Sequence, residues 1–228
     1  MAKVPSYPVI LVAVAVLCAG AGVLVGVLRS NSAPTLPVAN NGGTPDADAA
    51  QNENPYARFS VVDFELTDQN GAPVSQAVFD GQVTVLTFFF TSCPDPCPAI
   101  QRVMTDVQGR TAGSDVRLVS ISVDGEHDTP ERIRLYGTGY DADFERWTFM
   151  TGEPTVVGAM VRDSISFTLR GREDQIFARS DGTEMAQILH PTRLILVGPD
   201  RHVIGLYAYN DADAVDRLVA DALAATGG

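Results

Sequence analysis

Residues 83–90 read Val-Thr-Val-Leu-Thr-Phe-Phe-Phe, a run without a single charge. A strand of that kind has no polar face to turn toward water. It must lie inside a sheet covered on both sides, and the chain must supply the covering layers. The flanking sequence does so. Residues 98–108 predict a helix with Pro98 in its first turn and Gly109 at its end. Residues 116–123 are a second strand. Asp128-Thr129-Pro130-Glu131 then gives a cap, a helix-compatible proline and an acidic first turn, opening a helix that runs to about Tyr136. A short strand at 147–150, a helix at 153–162, a hairpin of 193–197 with 202–207 around Gly198-Pro199-Asp200, and an amphipathic helix at 212–225 complete the alternation. Upstream, residues 60–66 alternate as a strand does, and Asn70-Gly71 makes a turn. Residues 165–189 fit no single element and are expected to form an inserted excursion. The whole predicts an α/β fold with a central mixed sheet flanked by helices.

The 228 residues, 45% hydrophobic, suffice for one domain with a substantial core plus extra segments. The formal net charge is −12, and residues 56–228 carry 14 arginines against 25 carboxylates. Such a surface repels phosphate backbones, so no nucleic-acid partner is expected. Residues 8–28 contain no charge and are long enough to cross a bilayer as a helix. Ala19-Gly20-Ala21 resembles a signal-peptide cleavage site, but apolar sequence continues past it through 23–28, which favours an uncleaved anchor. Cys18 within it reads as a small apolar filler. The expected organisation is an anchor at 1–29, a flexible Asn-, Ala-, Pro- and Gly-rich linker at 30–55, and a folded domain at 56–228.

The other two of the three cysteines lie in Thr91-Ser92-Cys93-Pro94-Asp95-Pro96-Cys97-Pro98, directly after the apolar strand. Four residues apart at a strand-to-helix junction, both thiols fall on one face of a helical first turn, where the helix N-terminus favours thiolate. Three chemistries are open. A structural disulfide would close only a short loop and contribute little chain entropy. A dithiol–disulfide couple is possible, although the usual redox spacing has two intervening residues and this one has three. A soft-metal site would suit two thiolates, and a third donor would strengthen it. The chain has three histidines. His202, in a hairpin turn, reads as solvated. His127 lies in the acidic loop Asp124-Gly125-Glu126-His127-Asp128, on the side of the sheet where strand C-termini converge. His190 stands where the excursion re-enters the sheet, ahead of Pro191-Thr192, and is either a metal donor or a structural residue.

Three segments in order now resemble the Sco/SenC family of membrane-anchored copper chaperones. They are Phe89-Phe90-Thr91-Ser92-Cys93-Pro94-x-x-Cys97-Pro98, then Ser120-Ile121-Ser122-Val123-Asp124-x-x-x-Asp128-Thr129-Pro130-Glu131, then His190 followed by an apolar strand and Gly198-Pro199-Asp200. Asp63-Phe64-x-Leu66-Thr67-Asp68-x-x-Gly71 is similar to that family's first hairpin. The resemblance covers about residues 58–225. It implies a thioredoxin-like fold, a copper ion held by Cys93, Cys97 and His190, and a role in cytochrome c oxidase assembly. Asp124 and Asp128 would stand behind the ligands, orienting the histidine or tuning charge; the other reading of Asp128 is a helix cap before Pro130. Pro96, Gly125 and Pro191 depart from the family pattern, which there favours a branched aliphatic, a proline and a hydroxyl residue. Pro191-Thr192 instead resembles the segment around the thioredoxin cis-proline, which faces the cysteine pair.

The expectation is therefore a metallochaperone without turnover, single-pass in the inner (cytoplasmic) membrane with its domain on the extracytoplasmic side. It would deliver copper to the copper-site subunit of cytochrome c oxidase, or keep that site's cysteines reduced. The alternative is a thiol–disulfide oxidoreductase of thioredoxin or peroxiredoxin type, with Cys93 and Cys97 as its redox disulfide.

Overall fold

The computed structural model describes residues 54–179 and 181–227. The expected span at 8–28 and nearly all of the linker at 30–55 lie outside them. Among the described residues no helix is long and apolar enough to cross a membrane.

The chain runs β1 (Glu65–Asp68), β2 (Pro73–Ser75), β3 (Thr84–Phe89), α1 (Cys97–Arg110), β4 (Arg117–Ser122), α2 (Pro130–Thr138), β5 (Trp147–Thr151), α3 (Pro154–Ile165), β6 (Arg170–Ala178), β7 (Glu184–Leu189), β8 (Arg193–Val197), β9 (Val203–Ala208) and α4 (Ala212–Thr226). Seven strands form one sheet in the order β2-β1-β5-β4-β3-β8-β9. The trio β5-β4-β3 is parallel, and the other pairs are antiparallel, so the sheet is mixed as expected. Every residue of β3 is buried. Phe88, Phe89 and Phe90 pass into a core that also holds Phe79, Trp147 and Phe149. Burying a phenylalanine side chain contributes about 1.5–3 kcal/mol, so this one segment anchors the sheet's centre and fixes where the cysteine loop emerges.

Several boundaries differ from expectation. The alternating stretch 60–66 enters the sheet only at its end, as β1; Ser60 makes an isolated bridge to His202. The amides between are satisfied by loops instead, Val61 donating to the Arg201 carbonyl and Val62 to Ser164 Oγ. Helix α3 continues to Ile165 and stops at Ser166, whose φ of 56° is left-handed. The excursion is an antiparallel hairpin, β6 with β7, forming its own two-stranded sheet with an irregularity between Arg172 and Ile176.

Gly125, in the loop after β4, meets the backbone after β5. A Cβ at this position would stand 1.8 Å from the Gly152 carbonyl oxygen. That is why neither alanine nor the family's proline fits here. Overpacking of this kind costs about 1–3 kcal/mol, and each kcal/mol lowers the melting temperature of a domain this size by roughly 2–4 °C. A Gly125→Ala variant is therefore expected to melt several degrees below the parent by calorimetry. Unchanged melting would mean that the two loops do not meet.

Candidate metal centre

Strand β3 delivers the chain to Phe90, and the backbone turns at once. The Cys93 amide donates to the Phe90 carbonyl at 3.1 Å, and Cys97 is the first residue of α1. Pro96 occupies the cap position with no side-chain cap, and Pro98 falls in the first turn, so the prolines remove donors that a helix start would leave unpaired. The Asp95–Pro96 peptide is the only cis bond among the described residues. Pro191 is therefore not a cis-proline, and the likeness of Pro191-Thr192 to that thioredoxin feature is corrected.

Both cysteines are free thiols and buried. His190 follows β7 and is also buried. Its Nε2 lies 3.4 Å from Cys97 Sγ, and its Nδ1 lies 2.9 Å from the Pro191 carbonyl oxygen. A carbonyl can only accept, so Nδ1 carries a proton, and Nε2 is the ring atom that faces the sulfur. Phe90 meets the ring edge-to-face, with centroids 5.8 Å apart. One donor atom each from Cys93, Cys97 and His190 lies within 4.8 Å of the others. Two sulfurs and an imidazole nitrogen that converge away from water form a group able to hold a soft metal ion.

The two thiols differ. The hydrogen bond from the Cys97 side chain, opposed by burial and assisted by His190, brings Cys93 from an ordinary 9.0 to about 5. Burial first, and the neighbouring Cys93 second, push Cys97 up. The pair thus gives up one proton early and holds the other. Because the folded value of Cys93 lies below its unfolded value, this group's stabilisation is complete above about 9 and shrinks as pH falls. It is lost below about 5. Thiolate ultraviolet absorbance of the reduced chain is expected to show one early titration absent from Cys93→Ser. That variant's stability should also depend less on pH between about 5 and 9.

The two carboxylates take partners other than the histidine. Asp128 is fully buried, and Thr129, not Asp128, caps α2. Asp128 accepts from the Thr91 amide at 3.0 Å, the Thr91 hydroxyl at 2.5 Å and the Ser122 hydroxyl at 2.5 Å. It thereby ties the cysteine loop to the end of β4. Asp124 accepts from Arg179 Nη2 at 3.1 Å and faces His127 Nδ1 at 3.2 Å. It joins the β4–α2 loop to the outgoing hairpin. Neither carboxylate hydrogen-bonds to His190. His127 is partly exposed beside Asp124, and His202 sits exposed beside Asp200. Two residues outside the sequence expectations belong to the surroundings: Arg179, buried as the partner of Asp124, and Tyr136, whose ring stacks on Phe89 and whose hydroxyl is buried with no partner. Burial holds that phenol in its protonated form.

The sequence profile of the SCO1/SenC family matches residues 52–225. The SCO1 protein homolog of Bacillus subtilis is 29% identical over 170 residues, spanning 74% of this chain and 83% of its own. Protein SenC of Rhodobacter capsulatus is 27% identical over 163 residues, spanning 70% and 67%. Among solved structures, BsSco, described with a disulfide switch and as a member of the Sco family of cytochrome c oxidase assembly proteins, superposes with a TM-score of 0.62. It is 27% identical over 75% of this chain and 96% of that one. The copper-bound ScoI of Bradyrhizobium japonicum shares the fold, with a TM-score of 0.56, 24% identity, and 73% and 99% covered. A family profile that takes in the whole sheet, the cysteine loop and the histidine together leaves one assignment: this chain belongs to the SCO1/SenC family.

Proposed function

We propose that this chain binds one copper ion through Cys93, Cys97 and His190 and serves the assembly of cytochrome c oxidase. The observation that carries this reading is the convergence of two thiols and an imidazole nitrogen, all buried, with Cys97 and His190 93 residues apart in the chain. Two thiolates and an imidazole suit three-coordinate Cu(I), and an added oxygen donor lets the same set hold Cu(II). The copper bound in ScoI and the assembly role of the BsSco family support the same conclusion. Copper here is cargo, passed by ligand exchange to the copper-site subunit, and the thiols also suit keeping that subunit's cysteines reduced. Neither task needs turnover. The uncharged stretch at 8–28 supports a single-pass tether, and the proposed role places that tether in the inner membrane with the domain on the extracytoplasmic side.

Anaerobic titration of the purified chain with Cu(I), against a chromogenic Cu(I) chelator, is expected to end at one copper per chain, with binding at least about 100-fold weaker in His190→Ala. Copper retained undiminished by that variant would sink the three-donor site. The second reading, a thiol–disulfide oxidoreductase, is favoured by the low Cys93 value. It requires turnover that depends on both cysteines and survives loss of His190.

A further inference from the structure

The two ends of the seven-stranded sheet are finished differently. At one end β2 has three residues and begins with Pro73, which has no amide to offer. At the other end β9 reads Val-Ile-Gly-Leu-Tyr-Ala, six residues with neither a charge nor a proline. An edge of that kind recruits a further strand unless something covers it. Only the start of β9 is covered. Ser60 bridges His202, the Val203 amide donates to the Phe59 carbonyl at 2.9 Å, and Asn54 Nδ2 donates to the Val203 carbonyl at 2.7 Å. Further along, a cavity of about 300 Å³ follows the strand from Ile204 to Ala208. Tyr56, Arg193 of β8 and Arg217 of α4 line it. Among the described residues neither arginine makes a salt bridge. Asp211, in the same wall, is engaged as the cap of α4, accepting from the Asp213 and Ala214 amides.

We propose that residues 46–53, the stretch immediately ahead of Asn54, dock along this edge as an added strand. Their sequence, Asp-Ala-Asp-Ala-Ala-Gln-Asn-Glu, holds three carboxylates and no cation. Asp46 and Asp48 alternate with Ala47 and Ala49, so an extended chain turns both acids to one side and two methyl groups to the other. The route of the chain sets the place. Asn54 is fastened to Val203, where the open edge begins, and the Ser60–His202 bridge is antiparallel. Eight extended residues span about 26 Å, enough to follow the roughly 20 Å of a six-residue strand. Most of the domain surface is acidic and repels such a segment, whereas Arg193 and Arg217 draw it to this edge. Because the segment belongs to the same chain, its high effective concentration lets a few weak ion pairs suffice. Docked, it closes the edge to other chains. The inference is independent of the metal reading.

Residue-resolved amide hydrogen exchange of the full chain, with its cysteines reduced and no copper added, tests the docking. Exchange across 46–53 and at the outward amides of Gly205–Ala208 is expected to be about three- to tenfold slower than in the triple variant Asp46→Asn, Asp48→Asn, Glu53→Gln. The pair Arg193→Glu and Arg217→Glu should abolish the same protection. Joining that pair to Asp46→Lys, Asp48→Lys and Glu53→Lys should restore it, since the charges are then exchanged rather than removed. Circular dichroism checks that each variant is folded. Exchange across 46–53 as fast as in a free peptide of the same sequence overturns the proposal. Protection of β9 that rises with protein concentration also overturns it, because a second copy then covers the edge. Protection indifferent to the arginine changes, or not regained by the exchanged charges, overturns it as well.

Discussion

A Cys97→Ser chain is expected to lose stoichiometric Cu(I) altogether, with affinity falling by roughly 1000-fold or more, about 4 kcal/mol. Removing a group that merely orients a metal ligand costs roughly 10–100-fold. Cys97 is one of the three donors of the proposed site. Its sulfur faces His190 Nε2 at 3.4 Å, and its side chain provides the main hydrogen bond to Cys93. A serine oxygen is too hard a donor for Cu(I) and lies on a shorter arm. The same competition titration reads the result, with circular dichroism checking that the serine chain is folded. If Cys97→Ser bound copper within tenfold of the parent, the sulfur would not be a ligand.

Asp128→Ala is expected to lower unfolding free energy by about 3–5 kcal/mol, since it strips acceptors from the partly buried Thr91 amide and hydroxyl and from the buried Ser122 hydroxyl, and each unsatisfied group costs about 1–3 kcal/mol. Thr91 lies two residues before Cys93, so the same change frees the cysteine loop and weakens copper binding as well. Asp128→Asn keeps one oxygen to accept from the Thr91 amide and the Ser122 hydroxyl, while its NH2 group donates to the Thr91 hydroxyl, so it should be far milder. The pH response separates the two roles. Burial raises the folded value of Asp128 above its ordinary 3.8, against the hydrogen bonds that lower it. The folded state therefore holds this proton more tightly than the unfolded state. The group's contribution is greatest at low pH and declines as pH rises from the ordinary value through the raised one. Chemical denaturation of Asp128→Asn across that range should lack this decline. A parent and an Asn variant with parallel pH curves would show that Asp128 does not titrate there.

Much of this was readable from the chain because local and tertiary signals agree. The run at 83–90 can only be an interior strand, and the prolines at 98, 130 and 154 each sit in a first helical turn. The hairpin of 170–189 was not readable. Strand β6 is mostly exposed along both faces, so its sequence shows neither alternation nor an apolar run. Asp128 was misleading in a specific way. It precedes Thr129-Pro130-Glu131, a pattern that announces a helix start, yet Thr129 does the capping and leaves Asp128 free to reach back to Thr91. The pairing of Asp124 with Arg179 joins residues 55 apart, and nothing local marks either as buried. Cys93, Cys97 and His190 share one feature that sequence order could not convey: the resemblance named them together, but only the fold shows that His190 Nε2 approaches the Cys97 sulfur at 3.4 Å.

The two sulfurs and the nitrogen are not held by the same piece of the molecule. Cys93 and Cys97 are rooted between β3 and α1, while His190 arrives at the foot of a hairpin whose two strands pair only with each other. Strand β6 is mostly exposed, and an element of that kind opens locally at lower free energy than the domain unfolds. Detachment of that arm would drop the ion from three donors to two with the central sheet undisturbed. On the proposed copper site, residence time would depend on how often the arm lifts against its Arg179–Asp124 pair and Phe177–Phe90 stack, which substitutions in β6 and β7 can tune without a change of ligand.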